Sequence, residues 1–223
     1  AGRRRIATGR LSSRCPAGCS GCYQSATREG EDVPLDALAE RLDALATKGV
    51  FTVAYGGGEP ALRDDLGELA RMARARGMVP VVTTSGLGLT RERAEALRDF
   101  AQVNVSHDGV GGGYLAVRGF AGEPIADKAV RMLVDAGVAV GINHVLTRQN
   151  VGGLAAMARH ARALGAREVQ LLRYKPAGRA ASPEYLARRL SREQVAGLGA
   201  TLQAVAREHE GASGDVADAM AAA

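Results

Sequence analysis

An α/β fold built from repeated βα units on a parallel sheet is predicted by three observations. Short β-branched or apolar runs alternate six times with longer amphipathic stretches. Gly77, Gly137 and Gly165 each close a helical stretch just before a strand-like one, where glycine tolerates the left-handed helix end. With 46% hydrophobic residues in 223, the chain has apolar material for one sizeable core.

In chain order, the expected strands are Arg4–Thr8, Phe51–Tyr55, Val79–Thr84, Gln102–Ser106, Ala139–Leu146 and Glu168–Arg173. Helices are expected near 35–48, 62–76, 90–99, 124–136, 151–164 and 191–209. Leu66, Leu69 and Met72 illustrate the helical period, the turn-like Asp32-Val33-Pro34 opens the first helix, and Thr90 is a plausible N-cap before Arg91-Glu92-Arg93. Periodicity leaves two arrangements open, a partly closed barrel and a doubly wound sheet. In both, reactive groups belong at the carboxyl ends of the strands.

Lys and Arg outnumber Asp and Glu by 29 to 24, for a net charge of +5, but the basic residues are dispersed. Arg71, Arg74 and Arg76, like Arg188, Arg189 and Arg192, sit on helical stretches and read as solvated faces. Aromatics are only 4%, with no stacking platform, so no nucleic-acid partner is expected. No run approaches the roughly 18 apolar residues of a membrane span. The expectation is a soluble, cytoplasmic protein with no membrane partner.

All three cysteines fall in Cys15-Pro-Ala-Gly-Cys19-Ser-Gly-Cys22, a CxxxCxxC loop directly after the first strand. Thiolates crowded in one loop suit a metal better than a disulfide framework. Thiolates favour iron–sulfur clusters or zinc. A closed zinc site or an electron-transfer cluster wants four protein ligands, and the chain has no fourth cysteine. A cubane held by three leaves one iron open. The competing reading is a non-catalytic iron–sulfur or zinc-binding electron-carrier module, its zinc completed by His107, His144, His160 or His209, none of them near the cysteines in sequence.

The CxxxCxxC loop after strand one, followed by Tyr55-Gly-Gly-Gly-Glu-Pro60 after strand two, resembles the radical S-adenosylmethionine (radical SAM) superfamily. The resemblance covers roughly residues 4–180. It implies a partial (β/α)6 TIM-like barrel over residues 1–190, with 191–223 a C-terminal helix and tail that either start an extension or end a core that acts alone. It also implies Cys15, Cys19 and Cys22 as ligands of a [4Fe-4S] cluster whose open iron is chelated by S-adenosylmethionine. Reductive cleavage of that cofactor would give a 5′-deoxyadenosyl radical that abstracts hydrogen from a substrate. An external one-electron donor of flavodoxin or ferredoxin type is implied as well. One departure lies in the loop: the residue before the third cysteine is usually aromatic in this family, whereas here it is Gly21, with Tyr23 on the other side.

The remaining cofactor contacts follow from the same resemblance. Gly56, Gly57, Gly58 and Glu59 form the turn that receives the methionyl amine. Ser85 ends strand three near the cofactor, or else caps a turn. Ser106 and Asp108, in Ser106-His107-Asp108-Gly109, share one face by period-two alternation and would meet ribose or carboxylate, while His107 packs outward. Arg118 is suited to the methionyl carboxylate through a bidentate pair. Asn143 faces ribose or adenine, Asn150 caps the next helix, and Leu172 contributes backbone contacts near adenine. Val82-Thr83-Thr84-Ser85 and Pro176-Ala-Gly-Arg179 look most like the peptide-modifying, SPASM-type maturase branch, so the expected substrate is a peptide or a small biosynthetic intermediate.

Overall fold

A computed structural model describes residues 5–209. Arg4, with which the first strand was expected to begin, and the small-residue tail 211–223 lie outside the described residues. Six strands run in parallel in the order β1-β2-β3-β4-β5-β6: β1 Arg5–Arg10, β2 Val50–Gly56, β3 Val79–Thr84, β4 Gln102–Ser106, β5 Val140–Val145 and β6 Glu168–Leu172. A doubly wound sheet reverses its strand order at a switch point. Here the order never reverses, so successive right-handed crossovers put the helices on one face and the sheet curls into an open half-barrel.

The helices are α1 Leu35–Thr47, α2 Leu66–Ala75, α3 Arg91–Ala96, α4 Gly113–Arg118, α5 Glu123–Asp135, α6 Leu154–Ala163, α7 Pro183–Leu186 and α8 Arg192–His209. Thr90 caps α3, accepting the Arg93 N–H at 3.3 Å. Leu38 and Leu42 of α1, Leu69 and Ala73 of α2, Val130 and Leu133 of α5, and Met157 of α6 are buried against Val53, Val82, Val103, Val105, Val140 and Ile142 of the strands. One strand face is thereby filled with branched apolar groups and supplies the core. Alternation turns Thr83, Asn104, Ser106 and Asn143 to the other face. There Asn143 Nδ2 donates to Thr83 Oγ1 at 3.1 Å, reaching from β5 over β4 to β3. Neighbouring strands lie about 4.8 Å apart, and such a contact across a middle strand suits a face that is concave.

Candidate active site

Beyond β1 the chain leaves the sheet but stays attached to it. Leu11 N–H donates to Gly56 O at 2.9 Å, Cys15 N–H to Thr27 O at 2.6 Å, and Arg14 pairs with Asp32 at 2.5 Å. Arg63, buried after β2, donates to Leu11 O at 3.0 Å and Val33 O at 2.8 Å, and so pins both ends of the cysteine loop. Cys15, Cys19 and Cys22 are free thiols of intermediate exposure. Burial pushes the Cys15 and Cys19 thiols up, an effect that Arg118 partly offsets at Cys19. Metal binding must release the protons that such thiols carry.

The donor set fits a cluster. Around one zinc ion, with Zn–S near 2.3 Å, tetrahedral thiolates stand roughly 3.8 Å apart. Among the described residues, the one trio of potential ligand atoms gathered within 4.8 Å is His107, Asp127 and His160, so no imidazole or carboxylate is grouped with the thiols to close a four-ligand zinc site. Three thiolates from one loop with no fourth protein ligand are the donor set for a cubane with one open iron.

The turn after β2 abuts that loop. Gly58 has φ +59° and a Cβ there would lie 2.4 Å from Arg14 O, so only glycine lets the turn meet the cysteine-bearing segment. Glu59 N–H donates to Arg14 O at 2.8 Å. The Glu59 side chain, however, turns inward and is 1% exposed. Its carboxylate accepts from Ala61 N at 3.0 Å, from Ser85 N at 2.8 Å, and from the Thr84 and Ser85 hydroxyls. Burial raises its proton affinity above the usual carboxylate range, and those four donors pull the other way. Glu59 therefore ties β2 to β3 and has no lone pair facing a ligand, in contrast to a direct cofactor contact. Ser85 serves the same tie, which favours the turn-cap alternative for its hydroxyl.

Across the concave face, Ser106 is half-buried at the end of β4, in register with Asn143. Asp108 differs from its expected place. It is 2% exposed, Oδ1 accepts from Val145 N at 2.7 Å, and Oδ2 accepts from Arg118 Nε at 2.6 Å. Both oxygens are committed to the protein, so Asp108 aims Arg118 instead of meeting ribose. Arg118 is 17% exposed, keeps its terminal nitrogens, and faces the Cys19 thiol. Asn150 is also not a helix cap: its Oδ1 accepts from Thr147 N at 2.8 Å, and its Nδ2 donates to Asp108 O at 3.0 Å and Val145 O at 2.8 Å. Asn143 Oδ1 is buried without any partner, an acceptor open to a donor from a bound molecule.

The other expected contacts are peripheral. Tyr23 is 45% exposed, with Lys175 Nζ 5.2 Å from its ring centre, and Leu172 ends β6 with its carbonyl taken by Leu146 N at 2.9 Å. His107 packs outward, toward the helices. Its Nε2 lies 3.0 Å from Asp127 Oδ1 of α5, which His160 Nε2 of α6 approaches at 2.7 Å. Gly109 N–H points at His107 Nδ1, which assigns the ring proton to Nε2. That trio is a hydrogen-bonded brace in which both imidazoles donate to one carboxylate. Sequence reasoning passed over Arg63, Asp127 and Tyr185, whose contacts with Leu11, His107 and Ser20 respectively join segments distant in the chain. No helix among the described residues is long and apolar enough to cross a membrane.

Comparison with known proteins agrees with this geometry. The family model for the Radical SAM superfamily matches residues 10–161. The Fe-coproporphyrin III synthase of Methanosarcina barkeri is 33% identical over 162 residues, 66% of this chain and 38% of that protein. The PqqA peptide cyclase of Methylocella silvestris is 33% identical over 174 residues, 72% of this chain and 45% of its own length. Streptococcus suis SuiB, in a crystal structure bound to S-adenosylmethionine, superposes with a TM-score of 0.74 at 15% identity, covering 93% of this chain and 48% of SuiB. The chain spans less than half the length of these relatives.

Proposed function

The chain belongs to the Radical SAM superfamily, whose cofactors are a [4Fe-4S] cluster and S-adenosylmethionine, and from that premise we propose that Cys15, Cys19 and Cys22 hold the cluster and that the concave strand tips hold S-adenosylmethionine for modification of a peptide. Held by Cys15, Cys19 and Cys22, a cluster would supply the one-electron reduction by which S-adenosylmethionine gives methionine and a 5′-deoxyadenosyl radical able to take a hydrogen atom from substrate. The observation that carries this reading is the three-thiol loop, with no fourth protein ligand grouped beside it, lying against a glycine turn and an arginine.

The chain's own groups bind and orient. Arg118, held by Asp108, is the cation for a carboxylate on the cofactor or for the thiolate of Cys19. The carbonyls of Gly56, Gly57 and Gly58 are acceptors for an ammonium group, and Asn143 Oδ1 is the acceptor for a hydroxyl or exocyclic amine. Ser106 lies between them. Glu59 and Ser85 fix the turn from behind, and Tyr23 and Leu172 form the outer rim. The electron comes from a flavodoxin- or ferredoxin-type donor. A peptide substrate is supported by the likeness to a peptide cyclase, and a small biosynthetic intermediate by an equal likeness to a tetrapyrrole synthase.

Oxygen-free reconstitution with iron and sulfide tests the reading. The protein should take up one cubane and, with dithionite and S-adenosylmethionine, release 5′-deoxyadenosine. Cys19→Ala should abolish cluster retention. A wild-type protein that binds zinc and no iron would overturn the proposal.

A further inference from the structure

No side chain in Ser20-Gly21 has bulk, yet the loop between Cys19 and Cys22 is firmly packed. Its neighbour is Tyr185 of α7, only 6% exposed. A Cβ built on Gly21 would fall 2.3 Å from Tyr185 Cε1 and 2.6 Å from Cδ1, so the ring fills the volume that a side chain at position 21 would need. Gly21 is not in the left-handed region, so a substituent is excluded there by the ring and not by the backbone.

The ring is itself held on several sides. Its hydroxyl meets that of Ser20. The Arg188 guanidinium lies 4.1 Å from the ring centre and donates to Ala116 O at 3.2 Å, on the helix that ends in Arg118. Six residues before Tyr185, Arg179 donates through Nη2 to Cys19 O at 2.9 Å and to Ala26 O at 3.0 Å, and its N–H donates to Cys22 O at 3.1 Å. These contacts from Arg179, Tyr185 and Arg188 land on the cysteine loop and on the helix carrying Arg118.

Resting on the cluster reading above, we propose that Tyr185 is a positioning residue for the iron–sulfur site, its ring serving as the wall of the Cys19–Cys22 loop that Gly21 cannot provide. A loop without regular structure loses conformational entropy on being fixed. A buried aromatic face offsets that loss and keeps water and oxygen from the sulfur ligands, whose surroundings govern solvent access and potential.

The test uses the full chain and two readouts, one of which needs no cluster. In the apo protein, alkylation of Cys19 and Cys22, followed by mass spectrometry, should be about ten-fold faster in Tyr185→Ala, the scale of one lost aromatic contact. After reconstitution, iron loss in air should accelerate by a similar factor. Tyr185→Phe, which keeps the ring, should stay within about two-fold of wild type, since only the contact with Ser20 is lost. The decisive variant is Gly21→Phe combined with Tyr185→Ala, which returns a ring to the vacated space and should recover most of both rates. If Tyr185→Ala does not fold, Tyr185→Leu must still show the rise. Wild-type rates in the alanine or leucine variant, or a double variant no better than the single one, would overturn the proposal. Failure of the wild-type protein to take up iron would sink the cluster reading instead, while the alkylation pattern would still report on the wall.

Discussion

The tips of β2 and β4 each bury a carboxylate, Glu59 at 1% exposure and Asp108 at 2%, but they satisfy it in opposite ways. Glu59 receives neutral donors alone, two hydroxyls and two backbone N–H groups from β3 and its own turn. Asp108 receives one backbone N–H and a guanidinium. Neutral donors stabilise a buried anion without bringing a compensating charge, so desolvation prevails and Glu59 takes up a proton more readily than an ordinary glutamate. At β4 the anion has a counter-ion, and that counter-ion faces Cys19. The difference separates the work of the two carboxylates: Glu59 is a strand-to-strand tie behind its turn, whereas Asp108 points a cation at the cysteine loop.

The comparison breaks most easily at Asp108. Asp108→Asn leaves a mostly buried guanidinium without its anion and should lower unfolding free energy in urea by about 3 kcal/mol or more. A loss no greater than that of Glu59→Gln would erase the distinction. Glu59→Gln, which keeps the shape but presents an amide to two donors, should cost about 2 kcal/mol near neutral pH. It also carries a pH signature. Because the folded-state proton affinity of Glu59 is raised, its contribution is complete at low pH and is lost as pH rises through its elevated value. Wild-type stability should therefore fall over that interval while the Glu59→Gln variant stays flatter, as paired urea titrations across the acidic range would read. The smallest effect belongs to Thr84→Val, which removes one donor to Glu59, should cost about 1 kcal/mol, and should steepen the same pH dependence.

Much of this was legible locally. β3 and β4 begin and end where they were expected, because strand propensity and the glycine and polar stops beside them are properties of adjacent residues. The cysteine spacing and the glycine turn are equally local. α4 was missed because it is six residues long and opens on the last glycine of Gly111-Gly112-Gly113, which hides any period. The choice between barrel and doubly wound sheet depended on strand order, which periodicity does not encode. Within the site, type and position were readable but occupation was not. Nothing near Glu59 says that Thr84 and Ser85 will saturate it from another strand, and nothing near Asp108 says that Val145 and Arg118 will claim both oxygens. The brace from Arg179 and Tyr185 is the extreme instance, its partners lying 160 and 165 residues away in the chain.

That separation also orders events in time. Arg179 grips the carbonyl of Cys19 across 160 residues, so during synthesis the thiols leave the ribosome long before their clasp exists. Closing so long a span is entropically slow and comes late in folding. Until then the sulfur atoms are open to iron carriers and oxidants alike, and the yield of active protein should hang on which of them arrives first.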